Sequence, residues 1–248
     1  VGAILTIDMS QIELRVPVLW CGEPNLLAVF KAGGNLHQMT GSSLAGFEIN
    51  KKEHPRWYDC GKHANFLRVY GGEEAKLRET ITGITGEFRS PAFCRAWIEQ
   101  DRKRYPTLYE WQEALLAQAA RMHRLAIPVV GISRSFRGPL ALWRREALNF
   151  PVQAVAALLT QSAQIAVART LREQGLRSLG LLNRHDESKY DCPDDEVERV
   201  RETALRWFRQ PPIYEKLLAS GMHDCPLDAE VTVAYNPPGY AVETPKAR

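Results

Sequence analysis

Ala3-Ile4-Leu5-Thr6-Ile7 is a short, nearly continuous apolar run, which predicts a buried strand ending on Asp8. Apolar periodicity continues over 12–20, and helices are predicted near 23–31 and 36–45. The segment from 54 to 71 reads as a helix despite Gly61, stopped by Gly71-Gly72. Short helices are expected near 73–79 and 91–104, separated by a Gly/Thr-rich turn at 80–87. A strong helical stretch covers 106–124, with Pro106 in its first turn. Residues 126–138 read as a short hairpin or loop. The longest helical pattern runs over 140–174, with Pro151 as an interior kink or break. Two short strands, 179–184 and 188–192, flank a tight turn carrying His185-Asp186-Glu187. Helices near 194–209 and 212–220, a last strand at 231–235 and a loose tail after Pro237 complete the pattern. Strands at both ends of the chain and helices between them predict an α+β fold. Its sheet is built from both ends, and the helical middle forms a separate lobe.

Composition narrows this modestly. The 248 residues, 45% of them hydrophobic, suffice for one sizeable core or two modest ones. No apolar run of roughly 18 residues is evident, so no bilayer crossing is expected. The formal charge of +3 argues only weakly for a nucleic-acid partner, and it excludes a basic tail protein or an acidic scaffold. The five cysteines, at 21, 60, 94, 192 and 225, include no C-x-x-C pair. That disfavours zinc and redox-pair sites and fits a reducing compartment. Val1 stands at the start of a strand, with no signal-peptide pattern before it. The expectation is a chain that begins inside a domain, either a fragment or one piece of a split protein.

Three features carry candidate chemistry. Asp8 and Asp186 lie at strand ends from opposite ends of the chain. If they share a sheet edge they form a carboxylate pair for Mg²⁺; otherwise each is a solvated turn residue. Lys62, Phe66 and Tyr70 recur every four residues along one helix face, with Arg68 off that face. Such a face suits a triphosphate and a base or sugar, or it is an ordinary amphipathic face with two core aromatics. Residues 121–145 hold six arginines, including Arg134 and Arg145, and no acid, a pattern suited to a nucleic-acid backbone. Arg145, Asn149 and Gln153 then recur at four-residue spacing, which suits minor-groove hydrogen bonding.

Taken in order, these segments resemble the polymerase domain of the A-family DNA polymerases. Asp8-Met9-Ser10-Gln11-Ile12-Glu13-Leu14-Arg15 resembles the first palm motif, with Met9 in place of an aromatic residue. Lys62, Phe66, Tyr70 and Gly71 match the fingers helix, although Tyr58 stands where the family has an Arg. Arg145, Asn149, Pro151 and Gln153 are similar to the helix that contacts template and primer. His185-Asp186-Glu187 resembles the final palm motif. Gly33, Leu36, His37 and Thr40 resemble the stretch after the first motif, and 230–236 resembles the closing strand.

The resemblance implies a right-hand polymerase palm with an antiparallel sheet and a mostly helical fingers lobe, without a thumb. Palm would cover 1–20 and 140–240, fingers 21–139, and a loose tail 241–248. It implies template-directed addition of dNMP to a primer 3′-OH. Asp8 and Asp186 would hold two Mg²⁺ ions, and Lys62 would contact the phosphates and serve as an acid. Gln11, Glu13, His37, Phe66 and Tyr70 would surround the dNTP, with Glu13 excluding a 2′-OH. Arg145, Asn149, Gln153, His185, Arg15 and Arg134 would contact primer–template DNA. A partner polypeptide carrying the thumb and remaining palm, with or without an exonuclease, is also implied. So is a cytoplasmic setting in a bacterium or phage-infected host, with no membrane. The competing expectations are a non-catalytic DNA-binding accessory subunit and an RNA polymerase of similar fold. Glu13 and Phe66 argue against the latter.

Overall fold

The computed structural model describes residues 2–235. In chain order the elements are β1 (Gly2–Met9), α1 (Ile12–Cys21), α2 (Pro24–Lys31), α3 (Leu36–Ala45), α4 (Pro55–Val69), α5 (Glu74–Thr85), α6 (Pro91–Arg104) and α7 (Pro106–Met122). There follow β2 (Arg124–Ala126), β3 (Ser133–Ser135), α8 (Leu140–Glu173), β4 (Leu179–Arg184), β5 (Glu187–Pro193), α9 (Val197–Arg209), α10 (Ile213–Ala219) and β6 (Ala229–Tyr235). The chain divides into two compact units. One contains the described residues up to 12, then 155–220 and the residues from 227 on; the other contains 13–154 and 221–226. The expected tail lies outside the described residues, as does Asn236 of the closing motif.

The first unit is built on a sheet of order β4-β5-β1-β6, antiparallel throughout. Along β1, Ala3, Leu5, Ile7 and Met9 are buried while Ile4, Thr6 and Asp8 are half-buried, the period of two expected of a strand. Val200, Ala204 and Phe208 of α9 form the apolar stripe of a helix that packs on β1, β5 and β6. From α8, Val155, Leu159, Ala163, Val167 and Leu171 are buried, and the Thr160 hydroxyl lies 3.6 Å from the Met9 sulfur. β4 is the opposite kind of strand. It is an edge strand, with every residue exposed, including Leu179, Leu181 and Leu182.

The second unit is helical apart from the β2–β3 hairpin. Glycines let α3 and α4 meet backbone to backbone. A Cβ on Gly61 would run into the His37 carbonyl and lie 2.5 Å from the Gly41 nitrogen. A Cβ on Gly41 would lie 2.5 Å from the Trp57 carbonyl oxygen. Around this contact Leu44, Ile49, Trp57, Cys60, Ala64, Leu77, Ile81 and Cys94 form one core cluster. Leu116, Leu125, Phe136, Trp143 and Leu148 form another, with the rings of Phe136 and Trp143 stacked at 5.0 Å.

Some sequence expectations need correction. The turn expected over 80–87 is helix as far as Thr85, because Leu77 and Ile81 are buried a turn apart and Gly86 supplies the left-handed cap at φ 79°. Glu187 belongs to β5, leaving a two-residue turn of His185 and Asp186. Of the kink or break expected at Pro151, the break does not occur, and α8 runs through it as one helix. That helix is also long and apolar enough to cross a membrane by length and composition, contrary to the expectation that no such run exists. Half of the qualifying stretch is buried within the protein.

Candidate active site

In the sheet unit, β1 delivers Asp8 to the end of a central strand. Its cross-strand partners are Glu187 on β5 and Glu230 on β6. Directly opposite residues share a sheet face, so three carboxylates stand abreast, an arrangement that like-charge repulsion disfavours. Lys189 offsets part of it through Glu187, at 3.4 Å. The His185-Asp186 turn adjoins the same end: the Met9 amide donates to the Asp186 carbonyl at 3.3 Å. His185 holds φ 56° at the first turn position, the handedness that two-residue hairpins require. Gln11 also has a positive φ, 55°, where the chain turns from β1 into α1. A positive φ in a non-glycine residue is backbone strain of the kind found at functional sites. Among the described residues no group of three or more His, Cys, Asp or Glu forms a metal cage. Mg²⁺ at phosphate sites needs only one or two carboxylates, with substrate and water completing its shell. The donor set of Asp8 and Asp186 fits that ion.

In the helical unit two hydrogen-bonded groups form, one around Glu13 and one around His37. In the first, the Tyr70 hydroxyl donates to Glu13 Oε2 at 2.7 Å. Gln153 Nε2 donates to Glu13 Oε1 at 2.8 Å and to the Tyr70 oxygen at 3.0 Å. Three residues expected to act separately thus form one closed cluster. Burial, then the Glu13 carboxylate, raises the Tyr70 pKa, so its hydroxyl stays a donor. The Phe66 and Tyr70 rings stack at 6.4 Å, and the Lys62 ammonium lies 6.0 Å from the Phe66 centroid. Phe66, Tyr70, His63, Lys76, Arg144 and Arg145 border a cavity of about 430 Å³. Asn149 is half-buried, and its side-chain oxygen has no hydrogen-bond partner among the described residues.

The second group surrounds His37, which is 7% exposed. Its ring meets the edges of Tyr58 at 5.9 Å and Phe66 at 6.2 Å. Its Nδ1 faces Asn65 Nδ2 at 3.0 Å. The oxygen of Asn65 accepts from Thr40 at 2.9 Å and from Arg68. Arg68 in turn grips Asp101 through two bonds, at 2.7 and 2.6 Å, and Tyr109 donates to the same carboxylate at 2.7 Å. Burial, reinforced by Lys62, Arg68 and Lys51, lowers the His37 pKa to about 4, so the ring is neutral at ordinary pH. Asn65, Arg68, Asp101 and Tyr109 form a hydrogen-bonded chain leading to His37 that the sequence pattern does not single out. The only sequence signal was the i, i+3 spacing of Asn65 and Arg68, which places them together on α4.

Two expected DNA contacts are occupied elsewhere. Arg15 is 3% exposed, stacked 4.4 Å from the Phe30 centroid and bonded to the Pro226 carbonyl. It ties α1 to its surroundings and does not stand on the surface. Arg134 is exposed but ion-paired with Glu146, so its charge is offset. Tyr58, in the place of the family arginine, accepts from Asn35 at 3.2 Å and carries the Lys51 ammonium 5.0 Å above its ring.

An antiparallel sheet with an aspartate ending its central strand and another in the adjoining turn is the palm of a right-hand polymerase. The Lys62–Phe66–Tyr70 face lies in the helical unit, in keeping with a mostly helical fingers lobe beside such a sheet. Residues 2–236 match the profile of DNA polymerase family A, and the chain belongs to that family. DNA polymerase I of Chloroflexus aurantiacus is 33% identical over 200 residues, covering 77% of this chain and 20% of that protein. The thermostable DNA polymerase I of Thermus thermophilus is 31% identical over 206 residues, covering 80% of this chain and 23% of that protein. The chain thus spans about a fifth to a quarter of the length of these relatives. Among solved structures, the POL domain of Pol1 from M. smegmatis, in complex with DNA primer-template and dNTP, shares the fold. Its TM-score is 0.76 at 21% identity, covering 93% of this chain and 39% of that one.

Proposed function

We propose that the chain performs template-directed DNA synthesis, adding dNMP to a primer 3′-OH with release of pyrophosphate. The observation that carries this reading is the approach of the His185-Asp186 turn to the end of β1, where Asp8 stands. Asp8 and Asp186 would hold Mg²⁺, which when bound supplies charge stabilisation at the phosphoryl oxygens and lowers the pKa of the attacking hydroxyl. The chain's own residues bind and orient the reactants. Lys62 binds the phosphates and gives a proton to the leaving pyrophosphate oxygen as the α-phosphorus–oxygen bond breaks. The primer 3′-hydroxyl gives up its proton to solvent as its oxygen forms the new bond to phosphorus. Glu13, held by Tyr70 and Gln153, fills the space that a 2′-OH would need. Gln11 and His37 face sugar and phosphates, and Phe66 and Tyr70 pack against the nascent base pair. Arg145, Asn149, Gln153 and His185 hold the duplex and the primer end. The orphan acceptor on Asn149 supports that reading, because a buried polar atom without a partner is one that a ligand can satisfy. Firm grip on primer–template draws on polypeptide beyond these residues, whether a thumb in the same protein or one in a partner.

Primer extension with dNTPs and Mg²⁺, using this chain with and without its neighbouring polypeptide, tests the proposal. Extension that disappears in Asp8→Asn supports it. A folded chain that binds primer–template but extends nothing in either setting favours the accessory-subunit reading.

A further inference from the structure

The His37 group has more donors and acceptors fixed than a packing contact needs. Arginine has donors only, so the Asn65 atom facing Arg68 must be the amide oxygen. Thr40, donating to the same atom, agrees. The Asn65 NH₂ is therefore the group that faces His37 Nδ1 at 3.0 Å, and an NH₂ needs an acceptor there. A neutral imidazole that accepts at Nδ1 carries its proton on Nε2.

We infer that Asn65 is a positioning residue, locked by the Arg68–Asp101 ion pair, that holds His37 in the Nε2–H tautomer. Arg68 is able to do this because it is immobilised. It is 5% exposed, bidentate to Asp101, and capped by the Tyr105 ring 4.8 Å from its guanidinium carbon. The charged groups acting on the ring favour its neutral form. They are Lys62 and Arg68 on α4 and Lys51 in the turn before it, with Tyr58 and Phe66 packed at its edges. α3 contributes no carboxylate, and the first-turn position of His37 adds the positive end of the helix dipole. The functional consequence rests on the proposed polymerase reading: His37 offers the triphosphate one N–H of fixed direction without adding a charge to that of Lys62.

The test is nitrogen-15 NMR of the imidazole rings in the full chain without substrate, with His37→Gln assigning the signal. It requires no activity, so its outcome is independent of the polymerase reading. From pH 5.5 to 8 the wild-type His37 signal should be that of a neutral ring, with bare Nδ1 and protonated Nε2. Asn65→Asp replaces the donor with an acceptor. It should move a proton to Nδ1 and raise the midpoint of His37 titration by at least about one pH unit. A wild-type ring that carries Nδ1–H, or that mixes tautomers, overturns the inference even if the variant fails to fold. An Asn65→Asp chain with native circular dichroism and an unchanged His37 signal also overturns it.

Discussion

Replacing Gly61 with Ala should loosen the α3–α4 pair, although alanine is the better helix former. The intrinsic gain is about 1 kcal/mol for Gly→Ala in a helix interior. Against it, the new methyl would press on the His37 carbonyl and lie 2.5 Å from the Gly41 nitrogen and 2.9 Å from the Gly41 Cα. All three are backbone atoms, which no rotamer change can move aside. Overpacking costs about 1–3 kcal/mol where side chains can yield. With backbone on the receiving side the upper figure applies, for a net loss of about 2 kcal/mol. Gly83 on α5 provides the control, because a Cβ there meets nothing within 4 Å. Gly83→Ala should keep the propensity gain, about 0.5–1 kcal/mol. Thermal and urea unfolding followed by far-UV circular dichroism would place the two alanine variants on opposite sides of the parent. At about 2–4 °C per kcal/mol for a chain of this size, they should melt several degrees apart. If Gly61→Ala is as stable as the parent, or if both variants shift in the same direction, the close helix contact is not what sets the glycine at position 61.

Asp101→Asn should cost about 3–5 kcal/mol, because it leaves the Arg68 charge buried without a counter-ion; urea unfolding measures it, and a loss below about 1 kcal/mol would contradict the buried pair. Tyr70→Phe should cost about 1–2 kcal/mol by removing the hydroxyl that donates to Glu13 and accepts from Gln153. The same variant combined with Gln153→Ala should lose less than the sum of the two single changes, since they share one cluster. Stability should fall with acid in two windows. Between pH 6.5 and about 4 the unfolded chain takes up a proton at His37 that the folded chain refuses. This stabilisation is complete above 6.5 and lost toward 4, at most about 3 kcal/mol, and His37→Gln should flatten that slope. Glu196, opposed by burial but held down to about 2 by Ser178 and Arg177, contributes a second loss as pH falls from 4.5 toward 2. A stability that stays level from pH 6.5 to 4 would contradict the His37 environment.

Much of this architecture is legible in the chain because local pattern and burial coincide. β1 shows the buried alternation that its apolar run implies, and α4 follows the four-residue spacing of Lys62, Phe66 and Tyr70. The pattern is silent where burial surrounds an element. Residues 14–19 of α1 are all buried, so no polar face marks the helix and Pro17 obscures it further. At 80–87 the glycine and threonine content favours a turn, but the burial of Leu77 and Ile81 holds the segment helical as far as Thr85. The candidate site divides the same way. Asp8, Lys62 and Asp186 were readable from motif strings, whereas the clamp on His37 was not. Arg68 lies off the recognised face, and Asp101 is 33 residues away on another helix, a pairing that only tertiary structure creates. Arg15 is a similar case: the family resemblance implies a DNA contact, while its burial against Phe30 is invisible from spacing.

The exposed β4 edge has a consequence for handling the protein in solution. Leu179, Leu181 and Leu182 are each more than half exposed, on a strand that ends the sheet. Such an edge is a template for strand pairing between molecules. Concentrated samples of these residues alone should self-associate, with light scattering rising steeply with concentration. Leu181→Lys places a charge on the edge and should suppress that association while leaving the β4–β5 register intact. Assays at low micromolar concentration, or with this substitution present, would report on single molecules and not on aggregates.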